Sequence, residues 1–238
     1  MKTESDVDDK EAMFRRIRAA LGRGEGSPAP LPLEPFARAG AGGAPHELVE
    51  RFRREAEAAG VRVAFADTDA EAREYLLASV LPGEGATVAL SDAFAAGRRE
   101  LAEWLSGRGL RVVVPQAGPQ AGPDDAFRAA LFEARVGLTL ADYAIAETGT
   151  LVLLSGGERH RLVSLAPPVH VCLLDARRIV GTMGELLSLA RGRDAAGPGL
   201  PQALTFITGP SRTADVEQTL ALGVHGPHEV HVLLRRGS

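Results

Sequence analysis

The sequence predicts an α/β protein with a mixed, mostly parallel sheet flanked by helices, and three observations carry that prediction. From Pro45 onward, amphipathic segments alternate with short β-branched runs, the pattern of helical crossovers between parallel strands. Between Gly149 and Leu174, three apolar runs follow one another across the gaps SGGERHR and APP, too short for a helix, so strands there should turn back antiparallel on one another. The length of 238 residues, 45% hydrophobic and 24% charged, accommodates one large α/β domain with an appendage.

The elements follow in order. Asp9–Leu21 sets Met13, Ile17, Ala20 and Leu21 at helical spacing with basic residues between them, and Gly22 ends the run. Residues 1–21 are therefore an N-terminal helical arm, either packed as an appendage or docked on a partner subunit. Residues 22–45 are a Gly/Pro-rich linker, and 46–238 are the α/β domain. Within the domain the pattern predicts a helix over His46–Ala59, closed by Gly60, and a strand over Val61–Ala66. A helix over Ala70–Leu81 and a strand over Thr87–Leu90 come next, then a helix over Ala93–Ser106 and a strand over Arg111–Val114 stopped by Pro115. After the loop Gln116–Pro123, Asp124 is placed to cap a helix over Asp125–Val136. Strands are predicted over Gly149–Leu154, Leu162–Leu165 and Val169–Leu174, then a helix over Met183–Ala190 and a strand over Ala203–Thr208. A helix after Gly209–Pro210 and a strand over Val230–Leu234 complete the chain.

Composition removes several function classes. A net charge of −4 argues against a nucleic-acid binder, which needs a basic face to displace phosphate counterions. The single cysteine, Cys172, forms no internal disulfide and holds no iron–sulfur cluster, which takes about four thiolates. Flanked by apolar residues, it reads as a buried strand residue. The N-terminus is charged from its second residue and no apolar run reaches membrane-spanning length, which predicts a cytoplasmic protein.

Three segments carry candidate chemistry. In ADYAIAETGT (141–150), Glu147 is a candidate catalytic acid or base, with Thr148, Gly149 and Thr150 as binding groups, the glycine permitting close approach of a ligand. The competing reading is a turn in which Glu147 caps neighbouring amides. In TGPSRTAD (208–215), the predicted strand-to-helix junction would hold an anion on free helix amides, with Gly209, Ser211, Arg212 and Thr213 as contacts. Asp215 would pair with Arg212 at (i, i+3) or bind a substrate hydroxyl. In GVHGP (223–227), His225 beside Gly226 is the candidate for proton transfer. His225, His228 and His231 do not suit a metal site, because Gly226–Pro227 breaks regular structure between the first two. His160 and His170 either line a cleft or are satisfied structural histidines. GxGxG at Gly22–Gly26 lacks the preceding strand that a dinucleotide site needs.

The strings IAETGTLVLLSGG, RLVSLAPPVHV, TFITGPSRTADVE and LGVHGPHEVHVLL, in this order, resemble the LUD domain of the lactate utilization protein C family. The resemblance runs from the 46–60 helix to the C-terminus. It implies a fold similar to the sugar-phosphate isomerase and CoA-transferase-like group, and a role in oxidising L-lactate to pyruvate. It also implies two partner proteins, one carrying iron–sulfur clusters and one with cysteine-rich repeats, and no cofactor in this chain. On that reading Arg212 would hold the carboxylate of the hydroxy acid, and His225 or Glu147 would contact its 2-hydroxyl. Two alternatives stand beside it: an enzyme acting alone on a sugar phosphate or CoA ester, disfavoured because no lysine follows Lys10, and a structural assembly subunit.

Overall fold

Repeated strand–helix–strand crossovers build the domain, and the first helix already shows why. In α1 (Pro45–Ala58), Val49, Phe52 and Ala56 fall on one face and are buried, while Arg53 pairs with Glu50 and Glu57 on the other. The computed structural model describes residues 43–81, 83–115, 125–155, 160–192, 203–214, 220–222 and 226–236, with positions 12, 13, 15, 16 and 19. The chain divides into two compact units, Met1–Ala37 and Arg38–Ser238. In the first, the described positions Ala12, Met13, Arg15, Arg16 and Ala19 are helical, inside the predicted arm. The predicted linker, up to Gly42, and the loop Gln116–Asp124 lie outside the described residues.

After α1 come β1 (Arg62–Phe65), α2 (Asp69–Ser79), β2 (Thr87–Leu90), α3 (Asp92–Gly97), α4 (Arg99–Ser106), β3 (Arg111–Val113), α5 (Asp125–Glu133) and β4 (Val136–Leu140). They are followed by β5 (Tyr143–Ile145), β6 (Thr150–Ser155), α6 (His160–Leu165), β7 (Val169–Asp175), a 3-10 turn (Ala176–Arg178), β8 (Ile179–Val180) and α7 (Met183–Gly192). The chain closes with β9 (Ala203–Ile207), β10 (Arg212–Ala214), β11 (Leu220–Leu222) and β12 (Glu229–Arg235). Six strands form one wholly parallel sheet in the order β1-β12-β7-β4-β2-β3. The antiparallel pairing is confined to smaller sheets: β8-β5-β6-β9, where β6 runs antiparallel to β5 and β9, and the hairpin β10-β11. The class is α/β with a mostly parallel sheet flanked by helices, as the alternation predicts.

Alternating side chains of β7 and β12 feed two cores, because both faces of a parallel sheet are covered. Cys172, Leu174, Val230, Val232 and Leu234 pack with α1 and the small sheet on one face. Val171, Leu173 and Leu233 pack with α2, α3 and α4 on the other. Thr68 starts α2 with a reciprocal cap, accepting from the Glu71 amide at 3.2 Å while the Glu71 carboxylate accepts from the Thr68 amide at 3.0 Å.

Four expectations are corrected. Leu162–Leu165 is helix rather than strand: an apolar run this short fits either period, and Pro167–Pro168 then stops it. Consequently β6 and β7 do not turn back on each other but belong to different sheets. The predicted helix Ala93–Ser106 breaks at Arg98, where φ is −135°, just after Gly97, and the Arg98 side chain reaches Asp69 at 3.6 Å. The helix predicted to Val136 ends at Glu133, because Val136–Leu140 leaves to become a central strand.

Gly137 sits on that central strand, and α6 lies directly over it. A Cβ atom there would stand 2.1 Å from the Val163 carbonyl oxygen. Gly137→Ala is therefore expected to cost at least about 2 kcal/mol, since a main-chain carbonyl cannot turn aside, while Gly83→Ala, with open space at its Cβ, should stay within about 0.5 kcal/mol. Urea denaturation of both variants against the parent chain checks this; equal midpoints would refute it.

Candidate functional site

Two of the predicted motifs meet on the last turn of α1. There Gly60, at φ +91°, turns the chain into β1, and the Val61 amide donates to the Ala56 carbonyl at 2.9 Å. The β5–β6 turn presses on this point through Gly149, at φ +62°, where a Cβ would stand 2.2 Å from the Ala56 nitrogen. The exit of β9 presses through Gly209, at φ +88°, where a Cβ would stand 2.4 Å from the Ala59 carbonyl oxygen. Both glycines are thus demanded by the approach of a helix.

Held this way, the two turns bring three hydroxyls into a row. Thr148 Oγ1 and Thr150 Oγ1 are 2.7 Å apart, and Thr150 Oγ1 and Thr208 Oγ1 are also 2.7 Å apart. Thr150 is buried, whereas Thr148 and Thr208 are exposed, so the row is anchored inside and ends in solvent. The third motif joins beside it: the Ser211 amide donates to the Pro227 carbonyl at 2.9 Å, and the Gly226 Cα approaches Ser211 so closely that a Cβ would lie 3.1 Å from its Cβ. Pro227 leads into β12, and the His228 amide donates at 2.8 Å to the carbonyl of Pro168, which precedes β7. The cluster therefore stands at the amino edge of the six-stranded sheet.

Thr208 opens the TGPSRTAD motif, one residue before the contacts that the sequence predicts there. Its signal was register: Leu151 pairs with Ile207 in an antiparallel ladder, which sets the next residues outward, Thr150 and Thr208, opposite each other.

The structure separates the other candidates. Glu147 turns away from the row: its Oε1 accepts from the Met183 amide at 2.8 Å, at the start of α7, where Thr182 also caps the Glu185 amide at 3.2 Å. This is the capping arrangement, and a carboxylate there complements the helix dipole. Arg212 and Thr213 stand on β10, paired in register with Leu222 and Ala221. The helix predicted after Gly209–Pro210 is thus a hairpin strand, and the anion-holding helix terminus and the (i, i+3) pairing of Arg212 with Asp215 lose their helix. Asp215 and His225 lie outside the described residues.

The buried histidines have structural partners. His170 Nε2 is 2.8 Å from Thr139 Oγ1, and its Nδ1 carries no hydrogen bond among the described residues. Burial, with His231 nearby, pushes its imidazole down to about 3. His231 lies between the Tyr75 hydroxyl, 2.8 Å from Nδ1, and the Glu229 carboxylate, 3.2 Å from Nε2, and Glu229 also holds Arg62 at 2.5 Å. Burial lowers His231 too, against the opposing hydrogen bond to Glu229. Sequence reading missed this network, because Tyr75 and Arg62 are brought to His231 only by the sheet order. The Cys172 thiol is fully buried and pushed up to about 12, which keeps it protonated and unreactive. Among the described residues, no cluster of three His, Cys, Asp or Glu side chains could hold a metal ion, and no helix is long and apolar enough to cross a membrane.

Two outcomes are expected. Thr150→Val leaves the hydroxyls of Thr148 and Thr208 without their shared partner and should cost about 1–2 kcal/mol in urea unfolding, with Thr150→Ser recovering most of it. An imidazole held below its ordinary value stays neutral while the unfolded chain takes up its proton, so stability is full above pH about 6.5 and falls as pH drops toward about 3. His170 should contribute a slope of up to about 1.4 kcal/mol per pH unit in that window. The same slope in His170→Asn between pH 6.5 and 4 would count against this account.

Comparison with known proteins agrees with the motif set. Lactate utilization protein C of Halalkalibacterium halodurans is 42% identical over 95 residues, covering 40% of this chain and 41% of that protein. The protein of the same name from Bacillus subtilis is 37% identical over 102 residues, covering 43% and 42%. The match thus spans about two-fifths of the length of these relatives. A crystal structure of a DUF162 family protein from Deinococcus radiodurans shares the fold, with a TM-score of 0.54 and 21% identity, covering 82% of this chain and 100% of that one. The model of the LUD domain matches residues 49–234, and the chain belongs to the LUD-domain family.

Proposed function

We propose that this chain serves L-lactate utilization as the cluster-free member of a complex that oxidises L-lactate to pyruvate, and that it binds the hydroxy acid at the amino-edge cluster. The family membership and the names of the relatives support the pathway. One observation supports the site: Thr150 ties the ETGT and TGPS segments together through two 2.7 Å hydrogen bonds. The exposed hydroxyls of Thr148 and Thr208 can each donate to or accept from a substrate oxygen. Arg212, on the strand that leaves Ser211, is the group for the carboxylate, because a guanidinium offers a planar fork of donors. With Glu147 committed to the Met183 amide, the proton of the 2-hydroxyl falls to His225.

Conversion of lactate to pyruvate releases two protons and two electrons. The only thiol of the chain is buried and protonated, so the electrons pass to an iron–sulfur partner, with a cysteine-rich protein as the third member. A sugar-phosphate or CoA-ester reading loses support because its anion site required a helix where β10 stands. A second reading, an assembly subunit whose motifs serve the fold, is favoured by the seating of Gly149 and Gly209 on α1.

Reconstitution separates the two. Lactate oxidation by the coexpressed complex should be lost when this chain is omitted; unchanged oxidation would end the proposal. His225→Gln should lower the rate by about a hundredfold with the complex still assembled, whereas an assembly role predicts loss of the complex in motif variants and no specific loss of rate in His225→Gln.

A further inference from the structure

The carboxyl edge of the six-stranded sheet, opposite the threonine row, carries a cavity with no assigned role. β7 ends there and passes into the 3-10 turn Ala176–Arg178, β12 ends there and delivers Arg236, and α1 begins there with Pro45–Glu50. These segments line an open cleft of about 570 Å³, a volume in the usual range of roughly 300–1,000 Å³ for small-molecule sites. Open α/β sheets place ligands outside the carboxyl ends of their strands.

The walls divide by chemistry. Leu48 and Val49 of α1, with Ala176 and Ile179, make an apolar floor. Val49 and Ile179 are buried members of the core between α1 and the sheet, so the floor is backed by close packing. Arg177 and Arg236 also line the cavity, and each is fixed by its own carboxylate. Asp175 accepts from Arg177 Nε at 2.9 Å and Nη2 at 2.5 Å, and Asp67 accepts from Arg236 Nε at 3.0 Å and Nη2 at 2.5 Å. Arg236 is further stacked over the Phe65 ring at 4.7 Å. Both pairings use the Nε–Nη2 side of the guanidinium and leave its Nη1 donors outside the pair. The Arg177 and Arg236 side chains are 80% and 58% exposed, so these remaining donors are accessible to a further anion. The acidic neighbour Glu50 is occupied by Arg53 at 3.1 Å.

We propose that this cavity binds a small amphipathic carboxylate, its apolar body on Leu48, Val49 and Ile179 and its head between Arg177 and Arg236. The site is independent of the threonine row and shares no residue with it.

Calorimetric titration of the full chain with octanoate and with 1-octanol tests this, because the two share a body and differ in the head. Octanoate should saturate at one per chain, with octanol roughly tenfold or more weaker, since a charge-assisted hydrogen bond contributes about 1.5–3 kcal/mol. The double variant R177Q/R236Q should bring octanoate down to the level of octanol, and Leu48→Glu should abolish both while circular dichroism still shows a cooperative melt. Absence of saturable binding to the parent chain would overturn the proposal, as would binding unchanged in these variants. A dimer that forms with rising concentration, takes up no octanoate and dissociates in Leu48→Glu would also overturn it and assign the face to a second copy.

Discussion

At Gly149 and Gly209 the main chain lies so close to the last turn of α1 that a Cβ atom at either would fall within 2.4 Å of backbone atoms. Both positions also have positive φ, so the backbone conformation and the contact independently exclude larger residues. Much of the candidate site depends on this double seating. It holds against α1 the β5–β6 turn and the β9 exit, whose register the β6–β9 ladder sets, and with them Thr148, Thr150 and Thr208. It also ties the site to the start of β1, because the clasped turn is the one that feeds that strand. Disturbing the packing of α1 would displace the hydroxyls without any change to the motif residues themselves.

The two edges of the parallel sheet are built differently. At the amino edge the motif segments meet as turns, with neutral hydroxyls and backbone contacts at the centre and the Arg62–Glu229–His231–Tyr75 chain behind β12. At the carboxyl edge the strand ends deliver paired charges, Asp175 with Arg177 and Asp67 with Arg236. A short polar ligand suits the first environment, whose groups can exchange donor and acceptor roles. A ligand with a fixed negative head suits the second, whose donors are permanent cations.

Legibility in the sequence followed the range of the interactions. The alternation over residues 45–113 exposed β1, α2 and β2 nearly to the residue, because Gly60 and Gly85 punctuate the chain before the two strands and the Thr68 cap opens the helix between them. Leu162–Leu165 did not yield, since an apolar run this short fits either period and its backbone packs on Gly137, a residue about two dozen positions earlier. Val136–Leu140 hid behind the apolar tail of α5, because a fully buried strand carries no polar alternation. The motifs themselves were visible, and so was the capping alternative for Glu147. Their meeting was not, because it rests on the antiparallel register of β6 with β9 and on two glycine contacts with α1. The hairpin at Arg212 reads as a helix start by its Gly-Pro-Ser opening, and strand pairing with Leu220–Leu222 overrides that local signal.

The threonine row has a direction as well as a shape. Each hydroxyl owns a single hydrogen, so when Thr150 donates along the row all three hydroxyls point the same way, and the line then has two senses. In one sense the Thr148 end offers a free hydrogen and the Thr208 end only lone pairs; in the other the ends exchange roles. Three rotations about C–O bonds interconvert them while every oxygen stays in place. A group that accepts a hydrogen bond at one exposed end therefore dictates what the other end presents, and buried Thr150 relays that polarity between two turns that are far apart in the chain.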